Sequence, residues 1–527
     1  MAGNETLMET IHIYDTTLRD GAQGEGIAFS LEDRLAIAHK LDLLGVATIE
    51  GGFPASNPKD AAFFERIQEA PLKNARIAAF GNTRRKGRRA DDDSHLQSLI
   101  ACGAPVTTIV GKSWDLHIRE VLRTSLEENL AMIEESVRFL KNHGREVIYD
   151  AEHFFDGYRG NRACALDTLH AAVNGGADVL VLCDTNGGSL PDDIFEIVQE
   201  VKSELAAPLG IHTHNDSEVG VANSLMAIRA GARHVQGTIN GYGERCGNAN
   251  LCSIIPNLQL KMGFRCVSDE QLATLTEVSH FVDEIANLIP RSSQAYVGRS
   301  AFAHKGGLHV DAMSKNPTTY EHIAPGLVGN ETRMLVSELS GAGTIAQKLQ
   351  ERHPELTKES PVTRDIYETV IRKEGEGYLL EAAEASFELL VRKATGTYRR
   401  FFNLLGYRVI VEHRPGLGLI TEATLKLSVD GQMAHTVGEG DGPVHALDTA
   451  LRSALERFYP ELPCIKLTDY KVRVVNDKDG AAAKVRVLIN SADDHGSWAT
   501  VGVSTNIIEA SWEALSDALE YGLSRKR

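Results

Sequence analysis

Eight short apolar runs in the first half of the chain constrain the fold more than any other feature of the sequence. They recur at intervals of roughly thirty residues, and an amphipathic stretch of helical period follows each one. This alternation predicts repeated βα units, and eight units between Ile11 and Ile239 predict a closed (βα)8 TIM barrel. A doubly wound sheet would also alternate strands and helices, but eight evenly spaced units favour closure. The runs read IHIYD, ATIEGG, RIAAFG, VTTIVG, EVIYDAE, DVLVLCD, LGIHTH and HVQGTI.

The segment between the first two runs carries clear helix-end signals. Ser30 can cap a helix at its N-terminus, Asp33 occupies the third helical position, and Gly45 can end the helix. The pattern therefore predicts a helix from Ser30 to Gly45. Its predicted barrel-facing side is formed by Leu31, Leu35, Ala38 and Leu41.

The pattern changes after Ile289 and Pro290, and the rest of the chain divides further. We predict a catalytic barrel at 1–290, a mainly helical linker or lid subdomain at 291–397, and a duplicated α+β domain at 398–527. The linker includes a predicted long helix that starts at ELSGAGTIAQKLQERH, from Glu338 onward. In the last domain, TLKLSVDGQMAHTVGEGDGPVHALDTALRSAL and KVRVLINSADDHGSWATVGVSTNIIEASWEALSDAL share a pattern of strands followed by one helix.

The charge balance argues against two classes of partner. The 527 residues carry a formal net charge of −17, whereas binding to nucleic acid or to anionic membranes depends on clustered Lys and Arg. We therefore expect no nucleic-acid partner and no membrane partner. The basic run TRRKGRR, Thr83–Arg89, is followed at once by ADDD. It is either a solvated loop or a segment that attracts an anionic cofactor.

The number and spacing of the cysteines indicate the redox state of the compartment in which the protein is expected to reside. Seven cysteines are scattered without a CxxC pair, so neither the usual zinc-finger spacings nor a disulfide framework is expected. The N-terminal stretch MAGNETLMET lacks an apolar core flanked by positive charge. We expect a reducing, cytoplasmic location.

The unusual polar residues follow the predicted strands, where a barrel of this type builds its active site. Arg19 and Asp20 come after the first strand, and Glu152 ends the fifth. His212 and His214 end the seventh strand, and the eighth leads into NGYGERCGNAN. These segments should meet at one mouth of the barrel.

His212 and His214 stand at positions i and i+2 of one strand, so both imidazoles project from the same face. With a carboxylate such as Asp20 they form a mixed N/O set suited to a divalent ion of the Mn, Fe, Co, Zn or Mg type. The alternatives are paired structural histidines and, for Asp20, a turn or helix-cap role. Arg19 offers a fixed bidentate donor for a carboxylate or enolate, and it cannot act as a base.

The sequence alone leaves two alternative roles for each of two residues, Glu152 and His309. Glu152 follows the apolar VIYDA and is either a buried partner of the site or a general acid/base. His309, in GLHVD, lies beyond the barrel. It is either an ordinary surface residue or part of a mobile lid that completes a catalytic site on closure.

Three motifs carry a family resemblance: DTTLRDG, HTHND and GYGERCGNANL. With them the chain closely resembles the metal-dependent Claisen-type synthases, a family that includes 2-isopropylmalate, homocitrate and citramalate synthases. The likeness covers nearly the whole chain. Further stretches, among them GEGIAFSLEDRL, IEGGFPASNPKDAAFF and YDAEHFFDGY, look most like the citramalate synthase branch. One departure is Glu218, which stands two residues after HND where many members have Gly.

The resemblance implies a role for each candidate residue. It implies Arg19 and Thr185 as contacts to a 2-oxo acid, Glu152 near the reacting carbons, and His309 with Tyr320 as catalytic lid groups. It also implies a divalent ion, Mn, Mg, Zn or Co, held by four ligands: Asp20, His212, His214 and Asn248.

The implied reaction condenses acetyl-CoA with pyruvate and water to give citramalate and CoA, in isoleucine biosynthesis. The alternative within the family, 2-isopropylmalate synthase, takes a larger 2-oxo acid. A hydroxymethylglutaryl-CoA lyase would share the barrel and metal but would be expected to stop near the barrel and to carry a GGCP loop; this chain has neither feature. A non-catalytic metal-binding or regulatory protein would be expected to have lost a ligand.

The resemblance extends to the tail at 398–527. In this family a C-terminal regulatory domain binds the branched-chain amino acid at the end of the pathway, which for this branch implies isoleucine as allosteric inhibitor. The two similar halves can pack together and form a site where the subunits of a homodimer meet. The competing interpretation is a domain that only stabilises the dimer.

Overall fold

The computed structural model describes residues 8–69, 71–335, 345–346, 348–349, 353, 356–357, 359–416, 418–475 and 483–525. The chain forms two compact units. One comprises the residues up to Phe302 together with Glu321–Thr332, and the other comprises Ala303–Tyr320 and the residues from Arg333 onward. The domain boundaries at 290 and 397 stay predictions.

The first unit contains eight parallel strands that close into a barrel in sequential order, with the first strand pairing with the eighth. The predicted TIM barrel is therefore confirmed. The strands are buried along most of their length because helices cover the outside and side chains fill the inside. They are β1 His12–Asp15, β2 Thr48–Gly52, β3 Arg76–Asn82, β4 Val106–Lys112, β5 Glu146–Glu152, β6 Val179–Asp184, β7 Leu209–Thr213 and β8 His234–Gly237.

Helices connect and flank these strands. The first of them confirms the helix-end prediction: Ser30 Oγ accepts a hydrogen bond from the Asp33 N–H at 3.2 Å, and Asp33 Oδ2 accepts one from the Ser30 N–H at 2.8 Å. Gly45 ends the helix with φ 85°, a left-handed conformation that glycine adopts without strain. The helices of this unit are α1 Leu31–Leu44, α2 Pro58–Glu69, α3 Ser94–Ala101, α4 Leu126–Asn142, α5 Phe154–Gly160, α6 Arg162–Gly175, α7 Pro191–Glu204, α8 Gly220–Arg229, α9 Leu251–Pro256, α10 Asp269–Leu272 and α11 Leu275–Ile285.

Side chains fill the inside of the barrel, so a ligand site is expected at its mouth. Above the apolar layer, the Tyr14 hydroxyl lies 2.8 Å from Glu50 Oε1 and 2.7 Å from Thr108 Oγ1. Both Tyr14 and Glu50 are fully buried. The apolar layer consists of Tyr14, Ala78, Val106, Ile148, Val181 and Cys183.

The basic run Thr83–Arg89 is a loop after β3, and most of its residues are exposed. This agrees with the interpretation of the run as a solvated loop. Arg84 differs, because its guanidinium is buried and pairs with Glu128 at 2.8 Å and with Glu135 at 2.6 Å. Both carboxylates belong to α4. Arg84 therefore fastens the loop to the outer helix layer.

The second unit begins with short elements and a helical region, as predicted for the linker. Its helices pack around a small apolar core that includes Ile366, Phe387 and Val391. The predicted helix from Glu338 to His353 lies mostly outside the described residues. The elements are β9 Ala303–His304 paired with β10 Arg333–Met334, and the helices α12 Gly307–Lys315, α13 Pro361–Gly375 and α14 Glu384–Thr395.

The C-terminal part confirms the predicted duplication. Each half is a three-stranded antiparallel sheet followed by a helix that packs on it, and one core joins both halves. The first half contains β11 Asn403–Arg414, β12 Gly418–Val429, β13 Gln432–Gly440 and α15 Pro443–Leu455. The second contains β14 Lys466–Val474, β15 Val485–Asp493, β16 Gly496–Ser504 and α16 Ile507–Arg525.

Two global properties bear on location. All seven cysteines are free thiols. Among the helices that the structure describes, none combines the length and the apolar character needed to cross a bilayer.

Candidate active site

Three predicted metal ligands meet at the barrel mouth. Asp20 Oδ2 lies 3.3 Å from His212 Nε2 and 3.8 Å from His214 Nε2, and the two imidazole nitrogens are 3.3 Å apart. All three side chains are buried, and their donor atoms lie within 4.8 Å of one another. The arrangement follows from the fold, because β7 and the residue directly after it present both imidazoles on one face, and the turn after β1 brings Asp20 beside them.

A hydrogen-bonded chain orients His212. Its Nδ1 lies 2.9 Å from Gln236 Oε1, and Gln236 Nε2 donates to Asp150 Oδ1 at 3.0 Å. A carbonyl oxygen can only accept, so Nδ1 carries a proton, and Nε2, beside Asp20 and His214, is the nitrogen that could bind a metal. A histidine that ligates a metal commonly has its second nitrogen held in this way.

The charges around the cluster favour binding of a cation. Burial alone would raise the pKa of Asp20, but Arg19 and His212 outweigh it and hold that pKa well below its usual range. Burial and the neighbouring His212 lower the pKa of His214 to about 4. At neutral pH the carboxylate is therefore ionised and the His214 imidazole is neutral, which are the forms that coordinate metals.

Asn248 has the features of a fourth ligand. Its Nδ2 donates to the Tyr242 carbonyl at 3.0 Å, while its buried Oδ1 has no hydrogen-bond partner among the described residues. Its backbone pairs with that of His214 in an isolated antiparallel bridge. An orphaned amide oxygen on a loop whose backbone pairs with that of His214 fits a divalent ion of the predicted type.

Two glycines hold the Asn248 loop in place. Gly247 has φ 86°, and a Cβ there would collide with the Gly241 carbonyl oxygen. Gly243 has φ 151°, and a Cβ there would collide with the Asn248 amide. The loop can fold this tightly only because neither residue has a side chain.

Arg19 lies beside the cluster in a fixed orientation. Its Nε donates to Glu50 Oε2 at 2.5 Å, its Nη1 is 3.7 Å from Asp20 Oδ2, and its guanidinium stacks 3.8 Å above the Phe80 ring. Glu50 is fully buried and Arg19 is largely so. The side chain therefore presents a preorganised planar fork to the mouth.

Glu152 and Thr185 lie at the ends of the next strands. Glu152 forms an ion pair with Lys112, which ends β4 directly opposite it. The Thr185 hydroxyl accepts a hydrogen bond from the His153 N–H at 2.9 Å, and the Thr185 carbonyl accepts one from Arg245 at 2.7 Å. Both residues thus belong to the rim of the same mouth.

These residues enclose a cavity of about 280 Å³. Phe80, Val110 and Cys183 supply its apolar wall. The cavity thus joins a cation-binding cluster to a fixed guanidinium and a small apolar surface. Its polar lining includes Arg19, Asp20, Lys112, Asp150, Glu152, Thr185, His212, His214 and Arg245.

His309 and Tyr320 belong to the second compact unit. Their rings stack with centroids 4.1 Å apart and an interplanar angle of 24°. Both side chains are exposed, and α12 carries His309. Their lid role stays a prediction.

Glu218, the departure from the family pattern, has φ 58°. A left-handed conformation is easy for glycine and strained for other residues, so the loop keeps a backbone shape suited to the Gly found in many members. The Glu218 N–H donates to the Asn215 carbonyl at 2.9 Å. The exposed acidic side chain therefore leaves the neighbouring His214 in position.

Several residues of the site were missed by the sequence analysis. Glu50, Asp150 and Gln236 are buried polar residues within apolar strand runs, and that mismatch is the signal that could have identified them. Lys112 ends its strand at the same level as Glu152. Register between neighbouring strands cannot be read from the sequence alone, so this pairing required the structure.

A closed barrel with a buried Asp-His-His cluster and an arginine at its mouth defines a class of metal-site TIM-barrel enzymes. The HMGL-like family matches residues 10–282. A homocitrate synthase post-HMGL domain-like family matches residues 296–372, and the LeuA allosteric (dimerisation) domain matches residues 381–523.

Full-length relatives refine this class. The chain is 55% identical to the (R)-citramalate synthase of Geobacter sulfurreducens and 54% identical to that of Aquifex aeolicus; the matches cover 98% of this chain and 98% and 99% of the relatives. A 2-isopropylmalate synthase of Methanocaldococcus jannaschii is 30% identical over 99% of this chain and 96% of its own length. The chain belongs to the (R)-citramalate synthase group of the HMGL-like family.

Proposed function

We propose that the protein condenses acetyl-CoA with pyruvate and water to give (R)-citramalate and CoA. The observation that carries this proposal is the 55% identity, over 98% of both chains, to a relative named for that activity. The 2-isopropylmalate synthases are more distant, at 30–32% identity. The tail that matches the LeuA domain also distinguishes the chain from a hydroxymethylglutaryl-CoA lyase, which would be expected to stop near the barrel.

Arg19 and Thr185 are proposed to bind the 2-oxo acid. A divalent ion held by Asp20, His212, His214 and Asn248 would polarise the keto group of the substrate when bound. The guanidinium of Arg19 is already fixed by Glu50 and Phe80, so it can bind the substrate oxygens without a loss of side-chain freedom. The small apolar wall of the cavity suits the methyl group of pyruvate.

Glu152 is proposed to take the proton from the methyl group of acetyl-CoA. The methyl carbon then forms a bond to the keto carbon of pyruvate while the keto C=O π bond opens to an alkoxide. The alkoxide takes up a proton, and water hydrolyses the thioester with release of CoA. The position of Glu152 at the end of β5, on the rim of the cavity, supports this assignment. His309 and Tyr320 are proposed to act on the same reaction from a lid.

The tail is proposed to form a homodimer and to bind isoleucine as a feedback inhibitor of isoleucine biosynthesis. The match to an allosteric (dimerisation) domain supports both parts. Met433 and Val437 support the dimer, because they are exposed on the face of the first sheet opposite its helix. The seven free thiols support a reducing, cytoplasmic location.

A thiol-release assay tests the reaction. Free CoA would be measured with acetyl-CoA and pyruvate, 2-oxoisovalerate or 2-oxoglutarate in turn, each with and without a chelator. We expect pyruvate to be preferred at least about tenfold, because excluding a few methylene groups supplies that much discrimination. The chelator should stop the release. Equal or better turnover of 2-oxoisovalerate would contradict the proposal and assign the protein to 2-isopropylmalate synthesis.

A further inference from the structure

We propose that Lys112 is a further catalytic residue, whose ammonium group stabilises the enolate oxygen formed from acetyl-CoA. The proposal rests on the proposed condensation. That reaction places negative charge on two substrates in turn: first on the thioester oxygen of acetyl-CoA, then on the keto oxygen of the 2-oxo acid. The metal cluster and Arg19 lie ready for the 2-oxo acid, so the first charge needs a donor of its own.

The backbone fixes Lys112 beside Glu152. Lys112 is the last residue of β4 and pairs in register with Glu152, the last residue of β5. The Ser113 N–H donates to the Glu152 carbonyl at 3.1 Å, and Asn129 Nδ2 donates to the Lys112 carbonyl at 3.0 Å. The backbone of Lys112 is therefore held in place at the cavity rim.

The two arginines of the cavity are already engaged. Arg19 binds Glu50 and stacks on Phe80 on the side of the metal cluster. Arg245 donates twice to Asp216, at 2.8 and 3.0 Å, and once to the Thr185 carbonyl. Neither guanidinium can turn toward a second substrate without breaking these contacts.

The ammonium group of Lys112 has N–H donors that the ion pair with Glu152 does not use. An ammonium group carries three N–H donors, and the ion pair with Glu152 uses one direction only. Each side chain of the pair is 23% exposed, so the pair faces the open part of the cavity. Acetyl-CoA that enters above the 2-oxo acid would meet the base and the cation side by side.

This geometry supports a balanced proton transfer. A C–H bond of the acetyl methyl group breaks, and its proton moves to the Glu152 carboxylate. The electron pair forms the C=C bond of the enolate, and the thioester oxygen gains the charge that the Lys112 ammonium stabilises. When the new C–C bond forms, the thioester carbonyl is restored. Lys112 keeps its protons throughout.

Lys112→Met tests the assignment, with Lys86→Met as the matched control. Lys86 lies in the loop after β3, where its ammonium donates to the Leu122 carbonyl at 2.9 Å, and it does not line the cavity described above. Both variants would be measured as the full chain with saturating divalent ion, and metal content would be checked. We expect Lys112→Met to lower kcat by about 10²–10³-fold. The KM for pyruvate should change less than about threefold, since no pyruvate contact is lost.

Two further measurements test whether the effect of Lys112 lies in the enolisation step. With oxamate, an unreactive analogue of pyruvate, exchange of the acetyl-CoA methyl protons into D2O should fall in Lys112→Met as far as turnover does. Ethylamine should restore part of the activity of Lys112→Ala and none of that of Glu152→Ala.

Each outcome decides between the proposals. The role of Lys112 is overturned if the kcat of Lys112→Met stays within about threefold of wild type, or if its whole loss of activity lies in the KM for pyruvate. In either case, turnover by the wild-type enzyme still supports the condensation. Exchange of the acetyl-CoA methyl protons at the wild-type rate in Lys112→Met would also overturn the role of Lys112. A wild-type enzyme that releases no CoA with pyruvate overturns both proposals.

Discussion

At the scale of single residues, the buried groups around the Asp20 cluster include more carboxylates than cations. Glu50, Asp150 and Asp20 are all buried near one fixed guanidinium, that of Arg19. Burial and the charge of Glu50 raise the pKa of Asp150 to about 7. A divalent cation at the Asp20 cluster would balance this excess, because a buried charge is tolerated only when it is paired.

Substitutions can distinguish the role of the proposed metal ligands from the role of Arg19. Asp20→Ala and His212→Ala should lose the metal and abolish turnover. Arg19→Lys should keep the metal and lower kcat by about 10²–10³-fold, since lysine keeps the charge but lacks the planar fork. The measurement is metal content after dialysis, beside turnover. A normal metal content in Asp20→Ala would refute the ligand assignment.

Arg66→Lys is a suitable control for Arg19→Lys. Arg66 is a half-exposed residue of α2 that pairs with Glu32 and Glu69 on the outer surface. Exposed pairs of this kind contribute little stability. Turnover and metal content should both stay at the wild-type level.

At the scale of secondary structure, the sequence predicts regular elements and misses contacts between distant ones. Eight short apolar runs, each followed by a stretch of helical period, sufficed for the barrel, because each element is defined by its own residues. The two-residue strands Ala303–His304 and Arg333–Met334 have no such local signal; they form only because they pair with each other. For the same reason the HxH pair could be predicted, whereas the bonds of Gln236 to His212 and Asp150 could not.

The helix Gly307–Lys315 carries His309, whose proposed lid role can be tested. His309→Ala should lower kcat by about tenfold to a hundredfold with little change in the KM for pyruvate, the mark of an interaction made mainly in the transition state. Steady-state kinetics with varied pyruvate would measure both constants. Lys315→Ala, on the same helix and exposed, is the control. Unchanged turnover in His309→Ala would make His309 an ordinary surface residue.

At the scale of the whole molecule, the helical region and the tail are not separable. Ser386 Oγ donates to Asp517 at 2.9 Å, and the Tyr378 hydroxyl donates to Glu513 at 2.7 Å. Val501 of the second repeat lies in the core of the helical region. A truncation near Thr395 would expose this core, so a surface substitution is the sharper test of the tail.

Val437→Arg tests assembly and regulation together. Val437 is 55% exposed, and a charge at this proposed dimer contact should separate the subunits and abolish the proposed inhibition by isoleucine. Sedimentation should show the mass fall from twice 57.4 kDa to 57.4 kDa. Leu43→Arg, a 58% exposed leucine of α1, is the control and should stay dimeric. If the full-length protein ignores millimolar isoleucine and leucine alike, the regulatory proposal fails.

The tight turns at Gly243 and Gly247 bear on how this site can evolve. Any side chain at Gly243 would overlap the Asn248 amide, and any side chain at Gly247 would overlap the Gly241 carbonyl, so either substitution distorts the loop that carries Asn248. The exposed Cys246 between them has no such constraint. Among descendants that keep the activity, the two glycines should therefore vary as little as the histidines, while the cysteine drifts. A search for uncharacterised enzymes of this kind gains power when it weights those glycines as heavily as the proposed metal ligands.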